Sequence, residues 1–254
     1  MFGKIFMHGS TGELACSGTV VKDPTRPGRS NLVWTAAHCL HEGKGGQLMT
    51  AVVFLPGFDG DATSVASSHR FGVWSGVRSI VSPQWINEGG HLGGPVSQFD
   101  FGILQVAPNS GGQSLEEVVG GAVPVRFGLP REQIGRVTVF GYPAAAPFDG
   151  NRLTVCDSVL PPTRLSFDVS RPSMLATGCT MTGGSSGGGW IIDNGSPNRG
   201  LVSNSSIGPN PAQWLAGPAL QDEALELFRY FTLSRTAPPL TASALSPQSP
   251  HRRP

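Results

Sequence analysis

The sequence has little charge and no long hydrophobic run, and each absence excludes a class of partner. Only 14% of the 254 residues are charged and the formal net charge is +1, so there is no basic field to attract a nucleic acid. No apolar run approaches the roughly 20 residues of a membrane-spanning helix. Residues 1–6 lack the apolar centre and cleavage site of a signal peptide and are predicted to form a strand instead. We therefore expect neither a nucleic-acid partner nor a membrane partner.

Cysteine is also scarce, with four residues: Cys16, Cys39, Cys156 and Cys179. None lies in a C-x-x-C pair, so a structural zinc site is not expected, and we expect no metal and no other cofactor. Four buried free thiols are one interpretation. The interpretation we favour is two local disulfides, Cys16–Cys39 and Cys156–Cys179, each stabilising the fold by roughly 3 kcal/mol. Such bridges predict an oxidising compartment, and hence a secreted protein whose leader is not visible in this sequence.

Glycine and proline are abundant, at 35 and 22 residues, and they separate short runs that are typical of β-strands. These runs cover residues 16–21, 32–36, 50–55, 71–80, 101–106, 136–140, 189–192 and 200–203. Because no long helix separates them, their spacing predicts an all-β sandwich or barrel.

The last part of the chain departs from this pattern. Apolar residues at helical spacing predict one surface helix that packs on the body of the protein. They are Leu220, Ala224, Leu227, Phe228 and Phe231. Residues 109–113 are predicted to cross between two halves, so we divide the chain into residues 1–110, residues 111–235 and a disordered Pro/Ser-rich tail at residues 236–254.

The first chemical signal is a histidine directly after a predicted strand. His38 follows Ala36 and Ala37, whose small side chains let the backbone pack closely beneath the ring, and it precedes Cys39. A satisfied structural histidine is one interpretation. The other is a general base, because imidazole changes charge near neutral pH and a disulfide through Cys39 would hold the adjoining backbone.

The second signal is an acid within an apolar segment. Asp100 lies between Phe99 and Phe101, where a carboxylate is costly unless it is paired. It is either an exposed turn residue or the carboxylate that binds one imidazole nitrogen and leaves the other nitrogen free to accept a proton.

The third signal is the glycine-rich stretch at residues 182–190, TGGSSGGGW. Its composition alone allows a flexible linker, but a predicted buried strand follows at once. A tight glycine turn would instead expose the hydroxyl of Ser186 and direct backbone N–H groups at a developing oxyanion. The stretch also fits the G-x-S-x-G motif of α/β-hydrolases. Those enzymes run serine, acid, histidine, whereas this chain runs His38, Asp100, Ser186.

In this order the motifs resemble those of trypsin-like, chymotrypsin-fold serine peptidases, most closely the secreted bacterial branch that is similar to glutamyl endopeptidases. The matching segments are residues 16–21, 35–39, 99–102, 140–143 and 179–188. The resemblance implies two packed six-stranded antiparallel β-barrels with the active site in the cleft between them. It also implies a serine endopeptidase that acts on a protein or peptide substrate, and we expect a monomer.

The resemblance implies a role for each site residue. Ser186 would be the nucleophile, His38 the proton shuttle and Asp100 its partner, while the N–H groups of Gly184 and Ser186 would form the oxyanion hole. Val202 stands where glutamate-preferring relatives place a His, and no Asp is available to favour Lys or Arg, so we expect cleavage after a small or uncharged side chain. The residues expected to form the specificity pocket are Met181, Thr182, Val202, Ser203, Asn204 and Ser205.

Two positions depart from the family pattern. Ser185 stands where trypsin has the Asp that pairs with a newly cut N-terminus, so we expect activity without that form of activation. Gly189 stands where relatives commonly have Pro, which would loosen the turn. The alternative function is a catalytically inactive binding module of the same fold. Such modules usually lack a triad member, whereas all three residues are present here.

Overall fold

The structure, a computed structural model, is mainly β and describes residues 1–90, 92–161 and 165–234. The tail predicted to be disordered, residues 236–254, lies outside the described residues. The described part contains no helix that is long and apolar enough to cross a membrane.

The first half is a closed antiparallel barrel of six strands. The strands are β1 (Phe2–Gly9), β2 (Gly12–Val21), β3 (Leu32–Thr35), β4 (Thr50–Pro56), β5 (Trp74–Val81) and β6 (Gly102–Val106). They pair in the order β1-β2-β3-β6-β5-β4, and β4 returns to β1. The interior is filled by branched and aromatic side chains, including Ile5, Val20, Val33, Phe54 and Leu104, as the alternation of buried positions along a barrel strand requires.

The second half carries six further strands in two sheets. They are β7 (Arg136–Gly141), β8 (Thr154–Val159), β9 (Leu175–Thr177), β10 (Gly189–Ile192), β11 (Gly200–Asn204) and β12 (Leu215–Gly217). One sheet has the order β11-β10-β7-β8, and the other pairs β12 with β9. A bridge between Ile207 and Ala216 joins the end of the first sheet to the second. Strand pairing within the described residues therefore closes the first barrel and gives two connected sheets in the second half.

The helices are short except the last. They are α1 (Val65–Ser68), α2 (Pro83–Glu88), α3 (Leu115–Val119), α4 (Arg131–Ile134) and α5 (Asp222–Leu233), with 3₁₀ turns at Ala37–Cys39 and Pro95–Phe99. The predicted surface helix is confirmed as α5, whose first turn carries Asp222 and Glu223, where acidic side chains suit the helix dipole. Its buried face packs with Trp34 and residues of both halves in one hydrophobic cluster.

Both predicted disulfides are present, and the interpretation as free thiols is wrong. Cys16 of β2 is bonded to Cys39, and Cys156 of β8 is bonded to Cys179. All four cysteines are described, and none is free. The first bridge lies beside the predicted histidine, and the second ties the four-stranded sheet to the segment that follows β9.

Candidate active site

His38 lies in the 3₁₀ turn that follows β3, at the edge of the closed barrel. Ala36 and Ala37 are fully buried, so the backbone beneath the ring packs closely, as predicted. The imidazole itself keeps 17% of its side-chain surface exposed. The disulfide between Cys39 and Cys16 holds the next residue of the turn against β2. The ring is therefore fixed at its backbone and accessible at its edge.

Asp100 is completely buried, and its carboxylate is bonded to His38 in two places. Oδ1 accepts a hydrogen bond from the backbone N–H of His38 at 2.9 Å, and Oδ2 lies 2.7 Å from the ring nitrogen Nδ1. The hydroxyl of Ser206 donates a further bond to Oδ2 at 2.6 Å. The interpretation of Asp100 as an exposed turn residue is wrong.

The electrostatics of Asp100 favour the ionised carboxylate. Burial alone would raise its pKa, but the charge of His38 and three hydrogen bonds, from the His38 side chain, the Ser206 hydroxyl and the His38 backbone, together lower the pKa below the ordinary range. An ionised Asp100 holds a proton on Nδ1, which leaves Nε2 as the nitrogen that can accept one.

Ser206 is a residue that sequence reasoning missed. It lies in the segment after β11, whereas Asp100 lies in the other half of the molecule. Asn204 supports the same contact, because its Nδ2 donates to the backbone carbonyl of Asp100 at 3.0 Å and its Oδ1 accepts from Nε1 of Trp34 at 3.0 Å. A serine after a predicted strand carries no signal for such a contact, which becomes visible only once the halves are packed together.

The glycine-rich stretch is a tight turn in the cleft, and its interpretation as a linker is wrong. The backbone N–H of Ser17 donates to the carbonyl of Ser186 at 2.7 Å, and the Ser17 hydroxyl donates to the carbonyl of Gly184 at 2.9 Å. Gly187 has a φ of +79°, and a Cβ at this position would overlap Oγ1 of Thr35. Only glycine suits that conformation and that close approach.

Two backbone N–H groups in this turn, those of Gly184 and Ser186, are directed away from the protein's own acceptors. The carbonyl of Gly183 accepts from Ala144 N at 2.6 Å, and the carbonyl of Ser185 accepts from a backbone N–H of the turn at 2.9 Å. In a trans peptide the N–H points opposite to the carbonyl, so the N–H groups of Gly184 and Ser186 face the other way. Among the backbone hydrogen bonds of the described residues, neither group acts as a donor.

Ser186 is brought to the same region as His38 but is not bonded to it. The carbonyl of Ser186 is held by Ser17, which adjoins Cys16, and the bridge from Cys16 to Cys39 leads directly to His38. The hydrogen bonds of the described residues include none between the Ser186 hydroxyl and the imidazole. Catalytic hydrogen bonds in unliganded sites are often long and tighten only when substrate binds.

A cavity of about 440 Å³ lies beside Ser186. Of the predicted pocket residues, Met181, Thr182 and Ser205 line it. Sequence reasoning missed several others, including Trp214. None of the described residues that line the cavity carries a charged side chain.

The other three predicted pocket residues lie elsewhere. Val202 is buried in the hydrophobic cluster of the second half. Ser203 donates to the carbonyl of Pro218 at 2.8 Å, and Asn204 makes the contacts with Asp100 and Trp34 given above. The reason is register, because β11 ends at Asn204 and the pocket wall is formed by residues 205–209 that follow it. Val202 therefore does not line the cavity beside Ser186.

Ser185, the departure from the trypsin pattern, is satisfied locally. Its side chain is buried, and its hydroxyl donates to the carbonyl of Thr182 at 2.7 Å. A metal site can be considered among Cys16, His38 and Cys39, whose ligand atoms lie within 4.8 Å of one another. Both sulfurs are bonded in the disulfide, so neither offers the thiolate that a metal requires.

Comparisons with known proteins agree with this geometry. The family model described as a trypsin-like peptidase domain matches residues 16–197. The crystal structure of AL20, a thermostable serine protease from an extremophilic microorganism, is 30% identical with a TM-score of 0.76, covering 92% of this chain and 97% of that one. The protease Anisep from Arthrobacter nicotinovorans is 29% identical with a TM-score of 0.76, covering 92% and 95%.

A more distant structure shares the fold alone. A Glu endopeptidase solved with MPD is 15% identical with a TM-score of 0.64, covering 91% of this chain and 90% of that one. A comparison with curated protein sequences gave no significant match.

Proposed function

Because the chain belongs to the trypsin-like peptidase domain family and is a serine-type endopeptidase, we propose that it hydrolyses peptide bonds through an acyl-enzyme on Ser186, with His38 and Asp100 completing a triad. The observation that carries this assignment is the buried Asp100 carboxylate, which binds both the backbone and Nδ1 of His38 beside the turn that bears Ser186.

Each residue then has one chemical task. The Ser186 oxygen attacks the scissile carbonyl carbon while Nε2 of His38 takes its proton. Asp100 stabilises the imidazolium that forms, and the N–H groups of Gly184 and Ser186 receive the negative charge that develops on the carbonyl oxygen. His38 next gives the proton to the leaving amine. Water then loses a proton to His38 as its oxygen attacks the acyl carbon. The bond from that carbon to the Ser186 oxygen breaks, and His38 returns the proton to this oxygen, which releases the acid product and restores Ser186.

The pocket supports cleavage after an uncharged side chain. Met181 and Trp214 contribute apolar surface, Thr182 and Ser205 contribute hydroxyls, and the described part of the lining offers no charged partner to a buried Glu, Lys or Arg. Mapping the cut sites in a peptide library measures this preference. Dominant cleavage after Glu or Arg would contradict it.

The wider setting is also a proposal. We propose a boundary near residues 109–113, with the six strands of residues 111–235 forming a second barrel whose closure is completed by the Ile207–Ala216 bridge and the Cys156–Cys179 disulfide. Two disulfides suit an oxidising compartment. We infer a secreted bacterial enzyme that acts as a monomer on protein or peptide substrates.

A fluorophosphonate probe tests the nucleophile. We expect covalent labelling at Ser186 and its loss in Ser186→Ala, together with a fall in casein digestion of about 10⁴-fold or more, because triad residues act as a unit. The matched control is Ser185→Ala, which removes the neighbouring serine of the same motif and should still be labelled. A folded wild-type protein that takes no label would favour the alternative, an inactive binding module.

A further inference from the structure

Gln98 is a fully buried polar side chain that the proposed mechanism does not use. It lies in the 3₁₀ turn Pro95–Phe99 of the first half, two residues before Asp100. A buried amide without partners would be costly, so its hydrogen bonds indicate what it does.

The amide of Gln98 binds a loop of the second half that comprises residues 166–172. Its Nε2 donates to the carbonyls of Asp168 at 3.1 Å and Pro172 at 2.9 Å. Its Oε1 accepts from the N–H groups of Phe167 at 3.1 Å and Asp168 at 2.9 Å. If the amide were flipped, Nε2 would face the two N–H groups and Oε1 would face the two carbonyls. Only the orientation described is therefore compatible with the loop.

The loop has a second tie to the first half, but that tie is exposed. Arg171 pairs with Glu88 of α2 at 2.7 Å, and the Glu88 side chain keeps 46% of its surface in solvent. Exposed pairs contribute little. Loss of the Gln98 amide would instead leave the N–H groups of Phe167 and Asp168 and the carbonyl of Pro172 without this partner in a partly buried place, which is costly. The carbonyl of Asp168 would keep the hydroxyl of Ser166. Arg171 also lies over the ring of Phe99, 5.5 Å from its centroid, but Gln98 makes the hydrogen bonds that hold the loop backbone to the first half.

The loop carries one wall of the substrate cavity. Phe167 lines the cavity that Ser186 also lines, and it is 39% exposed. Leu92 lines the same cavity and is 48% exposed. These are large apolar side chains held open to solvent next to the nucleophile, where apolar groups of a ligand would gain by covering them.

We propose that Gln98 is a positioning residue for substrate specificity, which holds the 166–172 loop so that Phe167, with Leu92, forms an apolar wall for large hydrophobic side chains of the substrate. This inference rests on the proposed peptidase function. It concerns substrate side chains near the cleaved bond and involves no proton transfer.

The test uses Gln98→Met, which keeps the length of the side chain and removes its hydrogen bonds. Two peptides share the cleaved bond but carry either large apolar residues or glycine beside it. We expect KM for the apolar peptide to rise about tenfold with kcat nearly unchanged, because two or more loop hydrogen bonds are lost. The glycine peptide should change little. Hydrogen exchange at the N–H groups of Phe167 and Asp168 should become faster.

Further variants keep the result decisive. Phe167→Ala alone should raise the same KM, and adding Gln98→Met to it should cause little further loss, because both act on one wall. If Gln98→Met does not fold, Gln98→Asn, which keeps the amide on a shorter side chain, should raise the same KM by a smaller factor. Gln113→Met, in an exposed turn, is the matched glutamine control.

The outcomes separate this inference from the proposed function. Wild-type protein that is not labelled at Ser186 would overturn both. Suppose that Ser186 is labelled normally but Gln98→Met lowers kcat/KM equally for the two peptides, or shifts the pH profile of kcat. Gln98 would then act through Asp100, and this result would overturn the inference but not the proposed function. An unchanged KM for the apolar peptide would also overturn it.

Discussion

The two halves of the molecule hold their functional groups in different ways. In the first half, six strands close a barrel by continuous pairing, and His38 and Asp100 follow directly from its strands and turns. In the second half, the strands form two sheets, and Ser186 and the pocket lie in segments between strands. The regular half therefore carries the His38–Asp100 pair, whereas the less regular half carries the proposed nucleophile and most of the cavity lining, where loop variation can alter specificity.

Specific contacts across the interface compensate for the irregular second half. The hydroxyl of Ser17 donates to the carbonyl of Gly184 and accepts from the N–H of Tyr142 at 2.8 Å. Gly189, where a Pro was expected from relatives, begins β10 against Thr19 of the barrel, and a Cβ there would overlap the Thr19 hydroxyl. The close approach of the halves explains the glycine, so the expected loosening of the turn is not needed to account for it.

The largest expected effect on kcat comes from removing the charge of Asp100 in the first half. Asp100→Asn keeps the shape of the side chain but no longer favours the Nδ1–H tautomer of His38, so kcat should fall by about 10⁴-fold. Steady-state kinetics on one peptide measure it, and Asp222→Asn, an exposed acid of α5, is the control. A loss below about tenfold would contradict the assigned triad.

Removing each disulfide in turn tests whether the two bridges support different parts of the site. Both bridges join residues 23 apart, so chain entropy predicts a similar loss of about 3 kcal/mol in the free energy of unfolding. The double change Cys16→Ser/Cys39→Ser should also lower kcat, because it releases the turn that holds His38. The second half's bridge should affect KM instead, through the pocket.

Denaturant unfolding and steady-state kinetics on the two double variants separate these effects. Equal losses of kcat in both would show that the two bridges do not serve different parts of the site. A much larger loss of stability in the second half would show that its sheets depend on the bridge more than the barrel does.

The same contrast explains how much of the fold could be predicted from the sequence. The barrel strands were found because their apolar runs are long enough to show a pattern. In the second half, β8, β9 and β12 were missed. Strands β9 and β12 have only three residues each, and β8 is only half-buried along its length, so no periodic signal distinguishes them from loops.

The site shows the same limit. His38, Asp100 and Ser186 could be proposed from the sequence because each stands in a local pattern of unusual chemistry. The pocket wall depends on where β11 ends: it is formed by residues that follow Asn204, so of the predicted residues 202–205 only Ser205 lines the cavity. Ser206 and Gln98 act across the interface, and only the packing of the halves reveals them.

The smallest expected effect concerns the hydrogen bond by which the second half supports the charge pair of the first. Ser206→Ala removes the hydroxyl donor to Oδ2 of Asp100, and kcat should fall by about tenfold, as expected for a hydrogen bond to a charged group.

The pKa of Asp100 is depressed, so its stabilising contribution is present above the unfolded-state pKa and is lost as pH falls through the folded-state pKa. Without Ser206 that pKa rises, and acid loss of stability and activity should begin at a higher pH. Thermal unfolding and kcat/KM measured across acid pH test this against Ser203→Ala, whose buried hydroxyl binds Pro218 instead. If stability and kcat/KM of both variants fall at the same acid pH as those of the wild-type protein, then Ser206 of the second half does not lower the pKa of Asp100.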